Sequence, residues 1–355
     1  MLPDAESFRR LVDGSRTGLI PAAARAGLAV ASLPYAAAVG LRNRAFECGL
    51  LAVDRAAVPV VSVGNLTVGG TGKTPLVAWL AERCAGRGWQ PAIVSRGYGV
   101  AAGELSDEAA ELGLLLPGVP HHAARRRIEA ATAATGGGAT LVILDDGFQH
   151  RRLARDLNLL VIDATDPFGG NRLLPRGLLR EPVAGMRRAD AIILTRSDRV
   201  TAAIRQQIWS TCQRYLRPRQ PPWLETIHRP RELRTADGTS VPLAELSGRR
   251  LFGFAGIGNP APFRALLGEP PNQLVGFRSF PDHHPYQADD VAQLSRQAVR
   301  AGADLAVTTL KDLVKLPREG LKSIPLVAVV IGLEFTSNPA PLEQLLGRLQ
   351  PEAAG

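Results

Sequence analysis

From residue 58 onward, hydrophobic positions come in short unbroken runs separated by glycine-rich turns and by stretches of helical periodicity. VPVVSVG (58–64), PAIVSRG (91–97), TLVILDD (140–146), LNLLVIDA (157–164) and AIILTRSD (191–198) lack apolar/polar alternation, as parallel strands covered on both faces require. Helices are predicted between them over 75–87 and 125–134. The pattern predicts a doubly wound α/β domain over 58–220, with ligands at the carboxyl ends of its strands.

RPRQPP (217–222) breaks this alternation, and the ADG turn at 236–238, set between two short extended runs, predicts a hairpin linker over 221–249. Alternation then resumes in LFGFAGIGNPAPF (251–263), LVGFRSF (274–280), DLAVTTLKD (304–312) and PLVAVVIG (325–332). These predict a second, smaller α/β domain over 250–355. A length of 355 residues is enough for two domains, each with its own core.

The first 57 residues follow neither pattern. The stretch 18–41, GLIPAAARAGLAVASLPYAAAVGL, is the most apolar in the chain, but its uncharged run of 26–41 falls short of the roughly 20 residues that cross a bilayer. Arg9, Arg10, Arg16 and Arg25 precede that run and Arg42 and Arg44 follow it, which suits a helix lying on an anionic membrane surface. An ordinary packing helix accounts for the apolar content equally well. Asp4, Glu6 and Asp13 do not fit a secretory signal, so export is not expected.

Composition narrows the partners. With 45% hydrophobic and 21% charged residues, a disordered or fibrous chain is excluded. Cys48, Cys84 and Cys212 have no paired spacing and read as free thiols of a reducing compartment. A net charge of +9 calls for acidic partners. Nucleic acid is not expected among them, because the arginines are scattered and aromatic residues, at 5%, are too few to stack bases.

The sharpest chemical signal is VGNLTVGGTGKTP (63–75), where a strand runs into a glycine-rich turn that opens a helix. Backbone N–H groups of Thr67, Val68, Gly69, Gly70, Thr71 and Gly72 would cradle phosphates, Lys73 would reach the outer ones, and the Thr74 hydroxyl would ligate magnesium. Thr67 stands where the consensus has its first glycine. The strand ending in Asp145-Asp146 resembles a Walker B element, whose carboxylates hold magnesium at the same sheet edge. A P-loop NTPase-like sheet is therefore expected. GFQHRR (147–152) adds an amide, an imidazole and two guanidiniums, a cluster suited to a phosphorylated acceptor. LTRSD (194–198) loosely resembles a guanine-reading element, but Asp198 reads better as a turn or cap residue.

GNLTVGGTGKTP (64–75), SRGYG (95–99), LDDGFQHRRLARDLNLLVIDA (144–164), GNRLLPRGLLREP (170–182), FAGIGNP (254–260) and FPDHHPY (280–286) occur in that order. Together they resemble the tetraacyldisaccharide 4′-kinase family, over about 58–332. The resemblance implies transfer of the ATP γ-phosphoryl group to the 4′-hydroxyl of a tetraacylated glucosamine disaccharide 1-phosphate, giving lipid IVA, at the cytoplasmic face of the inner membrane. It makes 58–220 the kinase domain and 1–57 a segment docked on an anionic membrane surface. It also implies that Thr74, Asp145, Asp146, Gln149 and Glu181 organise Mg2+, and that Arg96, Tyr98, His150 and Arg180 contact the acceptor or its phosphates. Asp107, in SDEA (106–109), is the nearest match to the family's catalytic aspartate in a GDEP-like segment, in a loop that looks trimmed. His283 matches its partner histidine, and since it lies in the second domain, catalysis would require the domains to close. His121 and His122 are expected as surface residues. Two further classes stay open: a ParA- or MinD-like switch ATPase, which lacks its signature lysine because Val68 precedes Gly69, and a GTP-dependent metallochaperone, which lacks a Cys/His ligand set.

Overall fold

The computed structural model describes residues 5–97, 107–317 and 319–349. In chain order its strands are β1 (Val60–Asn65), β2 (Pro91–Ser95), β3 (His121–Ala123), β4 (Leu141–Leu144), β5 (Leu157–Asp163), β6 (Ala191–Thr195), β7 (Trp223–Thr235), β8 (Ser240–Val241), β9 (Arg250–Ala255), β10 (Gln273–Ser279), β11 (Leu305–Thr309) and β12 (Leu326–Phe335). The helices are α1 (Ala5–Val12), α2 (Leu19–Glu47), α3 (Lys73–Ala85), α4 (Asp107–Leu115), α5 (Arg127–Gly136), α6 (Ala202–Leu216), α7 (Ala261–Leu267), α8 (Ala288–Arg300), α9 (Leu310–Leu313) and α10 (Ala340–Gly347). The chain divides into two compact units, one of Met1–Tyr98, Gly118–His228 and Leu333–Gly355, the other of Gly99–Pro117 and Arg229–Gly332.

In the first unit the strands lie in the order β7-β6-β5-β1-β4-β2-β3, with every neighbouring pair parallel. The strand order reverses at β1, which lies between β4 and β5, so the loop leaving β1 opens at the topological switch point. The apolar runs are continuous because helices cover both faces. Leu160, Ile162, Ile192 and Leu194 pack with Ile208, Cys212 and Leu216 of α6, whereas Val60, Ala92, Val94 and Val142 pack with Ala130, Ala131 and Ala134 of α5. His121 and His122, expected on the surface, instead form edge strand β3 beside β2, with His121 Nε2 2.9 Å from Ser95 Oγ.

The second unit repeats the logic with the parallel order β10-β9-β11-β12. Phe252, Phe254, Ala306, Ala328 and Val330 face one core and Leu251, Ala255, Val307, Val327 and Val329 the other. The hairpin forms, with Leu233 opposite Val241 across the Ala236–Gly238 turn. Two segments depart from the boundaries expected from the sequence. Residues 107–117 join the second unit because Leu114 and Leu115 pack on its Phe254 core, and 333–349 return to the first, where Glu343 of α10 pairs with Arg83 and Arg87 of α3.

The apolar N-terminal stretch is a single helix, α2, of 29 residues, about 43 Å long. By length and composition alone it could cross a membrane. It is not a core helix, since Val39 is its one buried residue. Its apolar side chains face outward: Leu19, Val30, Leu33 and Leu41 recur at the helical repeat on one stripe, with Leu33 67% exposed. The opposite stripe docks on the first unit through polar contacts. Ser32 Oγ donates to Leu173 O (3.3 Å), Tyr35 OH to Arg180 O (2.7 Å) and Asn43 Nδ2 to Glu181 Oε2 (3.2 Å).

Close approach of β1 to the turn after β4 needs Gly64, where a Cβ would lie 2.6 Å from Phe148 N. Overpacking of this kind costs on the order of 2 kcal/mol, so Gly64→Ala should lower Tm clearly. Gly70→Ala, where a Cβ meets nothing within 4 Å, should leave stability within about 0.5 kcal/mol. Equal thermal melts for the two variants would contradict this packing.

Candidate active site

The phosphate cradle begins where β1 ends. Asn65, fully buried, donates through Nδ2 to Thr67 O (2.8 Å) and Thr67 Oγ1 (3.3 Å), while its Oδ1 accepts from Lys73 Nζ at 3.1 Å. Thr67 can replace the consensus glycine because its segment is extended: it bridges Leu179, Val68 N donates to Leu178 O and Arg180 N donates to Leu66 O. The loop then turns at Gly69 (φ 113°) and Gly72 (φ 83°), whose left-handed backbone delivers Lys73 and Thr74 as the first residues of α3. A Cβ at Gly72 would lie 2.3 Å from the ring of His228. Thr195 Oγ1 donates to Thr71 O (2.8 Å) and Arg196 to Gly70 O (3.0 Å), so the LTRSD segment braces the cradle from behind. Asp198 lies in the short turn that follows it.

The second element converges on the same lysine. Asp146, at φ 50° on the turn after β4, has Oδ1 3.3 Å from Lys73 Nζ and Oδ2 2.6 Å from an Arg180 guanidinium nitrogen. Burial works against its charge, but the Lys73 and Arg180 cations outweigh that and bring the carboxyl down to about 2. Asp145 is buried and accepts from Asp146 N at 2.9 Å. Gln149 Nε2 donates to Asn65 O (2.8 Å) and Glu181 Oε1 (2.9 Å), leaving its own Oε1 buried without a partner. Glu181 does not stand open as a metal ligand: it is 0% exposed and both its oxygens are taken by Arg188, at 2.7 and 2.8 Å. Among the described residues no three His, Cys, Asp or Glu side chains form a metal cage. The anionic Asp146, whose buried Oδ1 accepts no hydrogen bond, and the Thr74 position nonetheless fit a magnesium ion that arrives on nucleotide phosphates and keeps its waters.

Beside Asp146 lies a cationic basin. Burial, then the charges of Arg127, Arg155, Arg152 and Arg96, lowers His150 to about 4, so the imidazole is neutral among guanidiniums. Arg127, 4% exposed and with its Nε unpartnered, is the member that sequence reasoning missed. It stands at the start of α5, outside any quoted motif. Arg96 is exposed just past β2, and Tyr98 lies outside the described residues.

A separate cluster occupies the second unit. Asp107 opens α4, and His283, at φ 60° in the loop after β10, has Nδ1 3.1 Å from Asp107 Oδ2. Lys311 Nζ lies 3.1 Å from His283 Nε2 and 3.1 Å from Asp282 Oδ1. A lysine offers no acceptor, so Nε2 accepts and the proton sits on Nδ1, donated to Asp107. Neither Lys311 nor Lys315, the second lysine near Asp107, was visible as a site residue in the sequence.

Residues 24–350 match the tetraacyldisaccharide-1-P 4′-kinase family. The chain is 42% identical over 321 residues to the tetraacyldisaccharide 4′-kinase of Anaeromyxobacter dehalogenans (strain 2CP-C), covering 85% of this chain and 84% of that protein. It is 38% identical over 345 residues to that of Geobacter metallireducens, covering 91% and 97%. Among solved structures it is similar to the "apo" form of LpxK from Aquifex aeolicus in complex with ATP, with a TM-score of 0.73, 30% identity, and coverage of 92% of this chain and 99% of that one.

Two imidazoles contribute to the loss of the first unit's stability in mild acid. His228, like His150, is lowered to about 4, first by burial and then by the Arg196 charge. The unfolded chain therefore binds protons more readily than the folded one below the ordinary value near 6.5. Stability should be complete above pH 6.5 and fall as pH drops from 6.5 towards 4, by up to about 1.4 kcal/mol per pH unit for each imidazole. A Tm that stays flat between pH 7 and 4.5 would contradict this; His228→Gln should remove part of the slope.

Proposed function

The chain belongs to the tetraacyldisaccharide-1-P 4′-kinase family, and from that premise we propose how its own residues phosphorylate the 4′-hydroxyl of an acylated glucosamine disaccharide 1-phosphate to give lipid IVA. The observation that carries the reading is the placement of Lys73 Nζ, 3.1 Å from Asn65 and 3.3 Å from Asp146 at the mouth of a glycine-rich loop. A switch ATPase or a metallochaperone has no comparable support.

Lys73 and the loop amides would hold the β- and γ-phosphates of ATP, and Thr74 and Asp146 would hold the magnesium that comes with them, which would supply positive charge to the transferring group. Asp146, its carboxyl held down by Lys73 and Arg180, would hold the cation without first losing a proton. Gln149 and Glu181, locked to Asn65 O and Arg188, shape the site from behind. Arg96, Arg127 and Arg180 with neutral His150 supply a positive cluster for the acceptor's phosphate, where guanidinium forks match phosphate oxygens.

Asp107 takes the proton of the attacking hydroxyl. His283 donates Nδ1–H to its Oδ2, which orients the carboxylate and leaves Oδ1 for the alcohol. The lipid acceptor cannot leave its bilayer cheaply, since each methylene pulled into water costs about 0.8 kcal/mol. The enzyme therefore works at the membrane, on the cytoplasmic face of the inner membrane. The outward apolar stripe of α2, flanked by arginines, supports a helix lying in the interface. Its docked stripe, hydrogen-bonded to the first unit from Ser32 to Asn43, argues against a crossing.

With ATP, Mg2+ and detergent-dispersed acceptor, Lys73→Ala should abolish formation of the 4′-phosphorylated lipid by mass spectrometry. Asp107→Ala should lower kcat by about 10²–10⁴-fold while leaving ATP affinity nearly unchanged; full turnover in that variant would move the base elsewhere. Val30→Glu with Leu33→Glu should weaken sedimentation with anionic phospholipid vesicles at least about tenfold, while turnover of detergent-dispersed acceptor stays within about twofold. Undiminished vesicle binding would remove the interfacial role of α2.

A further inference from the structure

Behind the Asp107–His283 pair lies a cation for which the scheme above has no use. Lys315 follows α9 with its side chain only 9% exposed; Nζ is 3.4 Å from Asp107 Oδ2 and 3.8 Å from Asp312 Oδ1. Nζ is closed off from solvent and makes no well-aligned hydrogen bond among the described residues. Burying an isolated ammonium costs several kcal/mol, so the two carboxylates must account for its presence.

Asp312 does not need the lysine to satisfy its oxygens. Its Oδ2 accepts from Gly256 N (3.0 Å) and Thr309 Oγ1 (2.6 Å), and its Oδ1 accepts from Tyr286 OH (3.1 Å). At 0% exposure and with both oxygens hydrogen-bonded, Asp312 is a fixed counter-charge that determines where the ammonium rests. Asp107 is different: it is a third exposed, it stands at the first turn of a short helix, and Lys315 approaches it more closely. Lys315 and His283 meet the same oxygen, Oδ2. No donor among the described residues reaches Oδ1.

We infer that Lys315 is a positioning residue for the proton-accepting carboxylate: anchored on Asp312, it clamps Asp107 Oδ2 and fixes Oδ1 as the oxygen presented to the acceptor hydroxyl. The inference rests on the assignment of Asp107 as the base. A lysine that merely balanced Asp312 would support the second unit's core, and its loss would act whether or not Asp107 were present.

The test uses the full-length enzyme with ATP, Mg2+ and detergent-dispersed tetraacyldisaccharide 1-phosphate. Lys315→Met should lower kcat about 30-fold with KM for ATP within about twofold, and Lys315→Arg should recover to within about fivefold of the native rate. In an Asp107→Ala background, Lys315→Met should change the residual rate by less than about twofold, because the clamp has nothing left to hold. If Lys315→Met alone does not fold, Asp312→Asn/Lys315→Met removes both buried charges together, and a native Tm with low kcat is the expected result. A folded Lys315 variant with native kcat, or an equal loss with and without Asp107, overturns the inference. Native turnover in Asp107→Ala alone overturns instead the assignment of the base on which it rests.

Discussion

The nucleotide site depends on keeping one half-buried carboxylate charged. Asp146 sits where burial opposes ionisation, and only Lys73 on one oxygen and Arg180 on the other hold it anionic. Those three side chains come from three separate stretches: the start of α3 after β1, the turn after β4, and the loop whose Leu178–Arg180 backbone pairs with residues 66–68. The triad closes only when β1 and β4 are in register and that loop is seated, so folding and charge balance are one condition. The left-handed backbone at Asp146 and at Gly72 are two local requirements of the same geometry.

The second unit repeats the principle in another form. Asp312, Lys315, Asp107, His283, Lys311 and Asp282 make a chain of alternating acceptors and donors running from the buried end of the unit to its surface. Its inner end is rigid because Asp312 has no freedom left, and its outer end is exposed where His283 adopts a left-handed backbone. The Asp107 carboxylate is thus held by its neighbours, Lys315 and His283, as well as by its place at the start of a short helix.

Much of this was legible in the sequence. The unbroken Val/Ile/Leu runs marked every strand of the first sheet except β3 and β7, and GGTGKT, DDGFQH and PDHHPY marked the loops in which Lys73, Asp146 and His283 lie. Those signals are local, carried by adjacent residues. What escaped was carried by long-range contacts. Arg127, Asn65 and Lys315 acquire meaning only from partners folded beside them, and no spacing in the chain announces a cation buried between two acids. The identity of α2 was open for the same reason. Its mean composition fits a core helix and an interfacial one alike, and the outward direction of the Leu19–Leu41 stripe is what argues against a core helix. Glu181 is named as a metal ligand only through the family resemblance, and no spacing in the chain shows that Arg188, seven positions on, pairs with both its oxygens.

The path of the chain between the two units has a further consequence. Because the polypeptide enters the second unit at Gly99–Pro117, leaves it, and returns for Arg229–Gly332 before finishing in the first, neither unit is one contiguous stretch. A break at residue 228 would strip the first unit of α10 and the second of Asp107. Isolated modules therefore cannot be made by simple truncation, because each unit is completed by chain that lies on the far side of the other in the sequence.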